Sequence, residues 1–172
     1  MDAFVGEVVR VALAQVLLDA DINAVIDSAS DAGADVIVFP EMFSNGYSKF
    51  DPQDATARDA WIDGAVDLQG TFIGNFRAAA RRTEIAVVTT FLENAEPKPF
   101  NSAVLIDRQG NIVLHQRKRH ICFFDVPRRP ARLEIALQFS VLTPAAGRLL
   151  SGLWCAWIAS FRMSHPILFV LE

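Results

Sequence analysis

The sequence predicts a single α/β domain, and three observations lead to this prediction. The chain has 172 residues, which is enough for one domain with a sizeable core. It is 52% hydrophobic and 21% charged, a composition typical of globular rather than disordered proteins. Near the N-terminus, two short apolar runs flank a segment of helical periodicity, which is the pattern of a strand–helix–strand unit.

The N-terminal quarter supplies that unit. Residues 9–16 form a continuous apolar run, typical of a strand buried on both faces. Residues 21–34 carry apolar side chains at helical spacing, and Gly33 marks the expected C-terminal stop. Residues 36–39 form a second buried strand, which Pro40 ends. This order favours a layered α/β fold.

The next elements extend the same architecture. Residues 44–59 are polar and predict a loop that leads into a helix, and residues 71–82 predict an amphipathic helix with basic residues in its last turn. Residues 85–91 predict a third strand. Residues 102–107 and 111–116 flank a short turn that contains glycine, so they predict a β-hairpin.

The charge distribution separates the C-terminal tail from the rest of the chain. The net charge is −4 and the pI is about 5.4, which argues against a nucleic-acid-binding surface. Residues 1–127 contain 11 Lys and Arg and 18 Asp and Glu. Residues 128–172 contain 5 Arg and two carboxylates, Glu134 and Glu172. We therefore treat residues 128–172 as an aberrant tail.

Cysteine content and hydropathy bear on location and partners. Two cysteines cannot form a disulfide framework, so a cytoplasmic location is expected. The N-terminus shows neither a basic n-region nor an A-x-A cleavage site. Residues 149–161 are apolar for 13 residues, whereas a transmembrane helix needs about 20. We expect neither a membrane nor nucleic acid as a partner.

Two charged residues beside apolar strand ends are candidates for chemistry. Glu41 directly follows a buried strand and a proline, at the strand end where α/β sheets bind ligands. Apolar neighbours would partly desolvate its carboxylate, as suits a general base. Lys118 follows the hairpin and could stabilise an oxyanion. The simpler interpretations are a loop glutamate and a solvated cationic face.

His115, His120 and Cys122 form another candidate set, for a metal ion. Their H-x4-H-x-C spacing matches no common structural zinc pattern, and no second cysteine pair supports it. A metal-binding protein of this kind would retain stoichiometric zinc after purification. We predict no metal and no cofactor.

Four segments together resemble the carbon–nitrogen hydrolase family, also called the nitrilase superfamily. They are VALAQ, ADVIVFPEMFSNGYS, NSAVLIDRQGNIV and KRHI, and the resemblance spans about residues 9–125. It implies that residues 1–172 form one incomplete αββα sandwich. The resemblance also implies a homo-oligomer, as is common in the family. An incomplete sandwich exposes a sheet edge, so self-association through that edge is the alternative expectation.

The resemblance also implies a reaction and its residues. Glu41 matches the family's base, Lys118 matches the lysine that stabilises the tetrahedral intermediate, and Cys155 is the candidate nucleophile. The implied activity is hydrolysis of non-peptide carbon–nitrogen bonds in small amide or carbamoyl substrates, rather than nitriles, through a thioester. No cofactor is implied. If this mechanism holds, the three residues should converge in one pocket.

Three positions depart from the family pattern. Gln116 stands where a tyrosine is common, and Glu134 is the candidate for a second glutamate although its surroundings do not match. Cys155 is followed by AWIASFR rather than by a motif such as C-x-D-R-E-F-P. The competing hypothesis is therefore a non-catalytic remnant or binding module that keeps Glu41 and Lys118.

A frameshift near Cys155 would explain the last departure. Codons for residues 156–162, read from the third base of Ala156, permit Met-Asp-Arg-Glu-Phe-Pro. Residues 164–170, SHPILFV, then resemble the start of a helix where the frame is restored. The alternative is a divergent tail in which Cys155 is a buried small residue. Reading the coding DNA in all three frames distinguishes the two.

Overall fold

The computed structural model describes residues 9–48, 50–51 and 53–119, together with the backbone of residues 167–171. Strands and helices alternate at first, and a run of strands follows. In chain order the elements are β1 (Val11–Gln15), α1 (Ile22–Asp31), β2 (Val36–Val38), α2 (Ala55–Asp63), α3 (Thr71–Thr83), β3 (Ala86–Glu93), β4 (Phe100–Ile106), β5 (Ile112–Arg117) and β6 (Ile167–Leu171). A 3-10 turn, Phe43–Asn45, lies between β2 and α2.

The strands form one sheet with the order β5-β4-β3-β2-β1-β6. Strands β1, β2 and β3 are parallel, whereas β4 and β5 extend the sheet as antiparallel neighbours. Two reversals of direction make β5 run the same way as β2 and β3. The ends of β2, β3 and β5 therefore meet the start of β4 at one edge of the sheet. We call this the site edge.

Helices α1 and α3 cover one face of the sheet and form the main core with it. Ile26 and Ala29 of α1 and Phe76 of α3 are fully buried there. The rings of Phe39 and Phe76 pack edge to face, with their centroids 5.0 Å apart. The opposite face carries a second buried cluster, which consists of Val11, Val36, Val38, Val88 and Ala103. Both faces of the central strands are thus apolar and buried, as their continuous apolar runs predict.

The α/β class, the strand–helix–strand unit and the hairpin are confirmed. Asp21 caps α1, because its carboxylate accepts the N–H groups of Asn23 and Ala24. Gly33 follows the helix with a φ of 75°, in the left-handed region that glycine favours. Strand β4 begins at Phe100, earlier than predicted, because its first residues still pair with the end of β3.

The predicted helix start at residues 164–170 is wrong for the part that the structure describes. Residues 167–171 form β6, which pairs antiparallel with β1. The short apolar run ILFVL fits a strand or a buried helix by its pattern alone, and the pairing with β1 decides for the strand. The apolar stretch 149–161 and the suspected frameshift lie outside the described residues. No helix among the described residues is long and apolar enough to cross a bilayer.

Candidate active site

The segment after β2 bends over β3, and this bend positions Glu41 at the site edge. Thr90 of β3 is fully buried and anchors the segment. Its hydroxyl accepts the N–H of Phe43 at 3.2 Å and donates to the carbonyl oxygen of Pro40. Met42 lies between these two bonds with a φ of 53°, in the left-handed region. Glu41 is thereby fixed on both sides along the chain.

Lys118 reaches the same place from β5. The strand pairing continues one residue past β5, since the N–H of Lys118 donates to the carbonyl oxygen of Asn101 at 2.8 Å. The Nζ atom of Lys118 then lies 2.6 Å from Oε1 of Glu41. The exposed fractions of the two side chains are 11% for Lys118 and 4% for Glu41. The two charges therefore form a nearly dry ion pair, in which a charge-assisted hydrogen bond is strong.

Asn101 completes this group. Its side-chain amide, Nδ2, donates to Oε1 of Glu41 at 2.7 Å. The hydrogen bonds from Asn101 and Lys118 thus both reach Oε1, and within the described part of the chain none reaches Oε2. As far as the described residues go, one carboxylate oxygen therefore accepts two hydrogen bonds and the other keeps its acceptor capacity.

The structure brings together two of the three predicted catalytic residues. Glu41 and Lys118 are in contact, so a pair of separate exposed charges, the simpler interpretation, is wrong. Cys155 lies outside the described residues, as does Glu134. The convergence of all three residues in one pocket stays a prediction.

A second buried carboxylate lies at the same edge on the opposite face. Oε2 of Glu93, the last residue of β3, accepts the Ser102 hydroxyl at 2.6 Å and lies 3.0 Å from Nε2 of His115. Arg117 donates through Nε and Nη2 at 2.9 and 2.7 Å to the two carboxylate oxygens. Burial raises the pKa of Glu93, but the hydrogen bonds from Arg117 and Ser102 and the charge of His115 outweigh burial and lower the pKa to about 2.

Strand alternation explains why two carboxylate sites form back to back. Asn101 and Ser102 are consecutive on β4, so their side chains leave opposite faces of the sheet. Arg117 and Lys118 are consecutive at the end of β5 and diverge in the same way. Each face thus receives one neutral donor and one cation.

Sequence reasoning assigned no role to Glu93, Asn101, Ser102 or Arg117. The available signal was the pair of polar dipeptides, Asn-Ser and Arg-Lys, at the two outer ends of a predicted hairpin. Period-two alternation predicts that each dipeptide serves both faces.

Of the three candidate metal ligands, the structure describes His115. His115 lies beside Glu93, and its ring also stacks on Phe91 with centroids 6.3 Å apart. His120 and Cys122 lie outside the described residues. Among the residues that are described, no three His, Cys, Asp or Glu side chains are grouped so that they could hold a metal ion.

Comparison with known proteins identifies the family. The model of the carbon–nitrogen hydrolase family matches residues 15–152, which is most of the chain. The chain belongs to the carbon–nitrogen hydrolase family. This carbon–nitrogen hydrolase is similar to an (R)-stereoselective amidase from a Pseudomonas species, with 33% identity over 104 residues. It is also similar to a nitrilase from Bradyrhizobium diazoefficiens, with 30% identity over 105 residues.

Coverage limits how far these similarities extend. The matched parts are 60% of this chain and 34% of the amidase, and 55% of this chain and 33% of the nitrilase. The chain therefore spans about a third of the curated relatives that it matches. The crystal structure of an amidase from a Nesterenkonia species is similar over 67% of this chain and 44% of that chain, with 24% identity and a TM-score of 0.51. This likeness shows that the described residues share part of the fold of that amidase.

Proposed function

We propose that this carbon–nitrogen hydrolase cleaves small amide or carbamoyl substrates through a thioester on Cys155. The observation that carries the proposal is the buried ion pair between Glu41 and Lys118, at 2.6 Å. Family membership supplies the reaction class, and the similarity to an amidase supports amides as substrates. We further propose that residues 1–172 belong to one domain and act in the cytoplasm, where a catalytic thiol stays reduced.

In this proposal Glu41 is the general base. Its Oε1 is held by Lys118 and Asn101, so Oε2 is the atom that takes the proton from the Cys155 thiol. The thiolate sulfur then attacks the carbonyl carbon of the amide. A carbon–sulfur bond forms, and the electron pair of the carbonyl π bond moves to oxygen.

Lys118 stabilises the oxyanion that results. Its ammonium group has three N–H donors and uses one on Glu41, which leaves donors for the developing negative charge. The carbon–nitrogen bond then breaks, and the leaving nitrogen takes the proton from Glu41 and departs as ammonia. A water molecule gives a proton to Glu41 and attacks the thioester. The carbon–sulfur bond breaks, the acid product leaves, and the thiolate recovers its proton.

Ammonia release from a panel of small aliphatic amides, a carbamoyl compound and the corresponding nitriles tests the proposal. We expect release from the amides, and none after Cys155→Ala. Cys122→Ala is the matched control, because it removes the other cysteine of the chain, and it should retain activity. No ammonia release from any compound of the panel would favour the hypothesis of a catalytically inactive remnant. Release from nitriles alone would contradict the proposed substrate class.

The two described residues have matched controls as well. Glu41→Gln and Lys118→Ala should each lower kcat by about 10²-fold or more, as loss of an electrostatic group at a reaction centre does. Glu96→Gln and Lys98→Ala make the same changes at exposed positions and should leave kcat within about twofold. Equal effects at the exposed and buried positions would contradict the assignment.

A further inference from the structure

Asn101 links the two charged residues through two different atoms. Its carbonyl oxygen accepts the backbone N–H of Lys118 at 2.8 Å, and its Nδ2 donates to Oε1 of Glu41 at 2.7 Å. Glu41 and Lys118 are 77 residues apart in the chain, and each arrives from a different strand. Asn101 thus contacts both, one through its backbone and the other through its side chain.

The side-chain bond decides which oxygen of Glu41 receives no donor from the described residues. A carboxylate held by one donor can rotate about its terminal torsion and exchange its two oxygens. Two donors on Oε1, Nζ of Lys118 at 2.6 Å and Nδ2 of Asn101 at 2.7 Å, fix that torsion. Fixed orientation of a reacting group matters, because a displacement of about 1 Å can cost about 10²-fold in rate.

A neutral donor has a particular advantage at this position. During the proposed reaction Lys118 shares its charge between Glu41 and the oxyanion, so its bond to Oε1 weakens as the negative charge grows. The side-chain amide of Asn101 carries no net charge, so the oxyanion attracts it less than it attracts Lys118, and its hydrogen bond to Oε1 is retained. It keeps the base oriented at the stage when the lysine is engaged elsewhere.

We infer that Asn101 is a positioning residue, which holds Oε1 of Glu41 and the backbone of Lys118 so that Oε2 is the oxygen presented for proton transfer. The inference rests on the proposed function for its consequence, but the placement itself is measurable without activity. Asn101 contributes no proton and no nucleophile. Aspartate has nearly the same shape but, when ionised, accepts where asparagine donates, so it should fail as clearly as alanine.

The chain offers a matched control in Asn94. Its Nδ2 also donates to a carboxylate, Oδ1 of Asp67, at 2.9 Å, but this bond is exposed and joins no predicted catalytic residue. Asn94→Ala and Asn94→Asp therefore repeat the two changes outside the site. They should leave both the kinetics and the Lys118 signal described below unchanged.

Kinetics give the first measurement. In the active protein, Asn101→Ala and Asn101→Asp should lower kcat about 10- to 100-fold and change KM less than about threefold. A residue that merely supports the fold would instead lower the amount of folded protein and leave the kcat of the folded fraction unchanged. An unchanged kcat in a folded variant would overturn the inference.

A spectroscopic measurement decides the placement even if the chain proves inactive. The chain has three lysines, Lys49, Lys98 and Lys118, so ¹⁵N-lysine labelling gives a simple Nζ spectrum, with Lys118→Arg to assign its signal. In the wild type we expect a slowly exchanging Nζ signal for Lys118. In both Asn101 variants this signal should be lost, while the backbone amide signals show that the variants are folded. Persistence of that signal, or unfolding of both variants, would overturn the inference. Loss of the signal together with an inactive wild type would uphold the placement and contradict the proposed function instead.

Discussion

Glu93 offers a test of the structure that does not depend on activity. Its carboxylate is 5% exposed and is bound by Ser102, His115 and Arg117, so Glu93→Gln removes a buried charge that has several partners. The pKa of Glu93 falls from 4.5 to about 2 in the folded protein. Each unit corresponds to about 1.4 kcal/mol, so the folded state gains about 3 kcal/mol at neutral pH. The side chain of Arg117 is 46% exposed, and solvent screening reduces the expected loss to about 2 to 3 kcal/mol.

The sign of the pH dependence follows from the lowered pKa. The unfolded chain binds a proton at Glu93 more readily than the folded chain does. The stabilisation is therefore complete above pH 4.5 and disappears as the pH falls towards about 2. The stability difference between the wild type and Glu93→Gln should be constant near neutral pH and shrink in acid.

Urea unfolding followed by far-UV circular dichroism, at fixed protein concentration and at pH values from about 7 to about 3, measures this difference. Glu96→Gln is the control, since Glu96 is exposed three residues further along the chain. A wild-type advantage over Glu93→Gln below about 1 kcal/mol at neutral pH, or one that stays the same in acid, would refute the reasoning.

Three further outcomes are expected. Gly110→Ala should destabilise the protein by more than about 1 kcal/mol in urea unfolding, because Gly110 has a φ of 77° and a new Cβ would lie 2.7 Å from a carbonyl oxygen of α3. Gly74→Ala is the matched change, since a Cβ at Gly74 meets open space in α3, and it should stabilise the protein by about 0.5 to 1 kcal/mol. Thr90→Val should destabilise by about 1 to 3 kcal/mol and lower any amidase kcat, because it removes the bonds to Pro40 and Phe43 that fix the Glu41 segment; an unchanged kcat would contradict that anchoring role. The chain should self-associate in light scattering, as the expected free sheet edge implies, and a monodisperse monomer would count against this.

Most of the secondary structure could be predicted from local sequence patterns. Period and length identify strands β1 to β5 and helices α1 and α3, and the cap at Asp21 and the stop at Gly33 need only neighbouring residues. The contact between Glu41 and Lys118 followed from the family resemblance and from the rule that strand ends carry ligand-binding groups.

The rest depends on pairings that the sequence does not state. The role of Asn101 requires that β4 extend back to Phe100, which the antiparallel pairing with the end of β3 decides. The cluster around Glu93 requires the register between β4 and β5, in which Ser102 pairs with Arg117. Residues 167–171 were misassigned because five apolar residues fit a strand or a buried helix equally well without their partner, β1.

The hydrogen bonds of the two carboxylates at the site edge support the proposal of Glu41, rather than Glu93, as the base. Glu93 binds donors on both oxygens, and its pKa of about 2 leaves it a poor proton acceptor near neutral pH. Glu41 has a similar cation and neutral donor, but both reach Oε1, so Oε2 keeps its acceptor capacity among the described residues. Both residues are 4% exposed, so the two sites differ in how the donors are divided between the carboxylate oxygens and not in burial. Strand alternation thus places Glu93, bound on both oxygens, on one face of the sheet and Glu41, the proposed base, beside Lys118 on the other face.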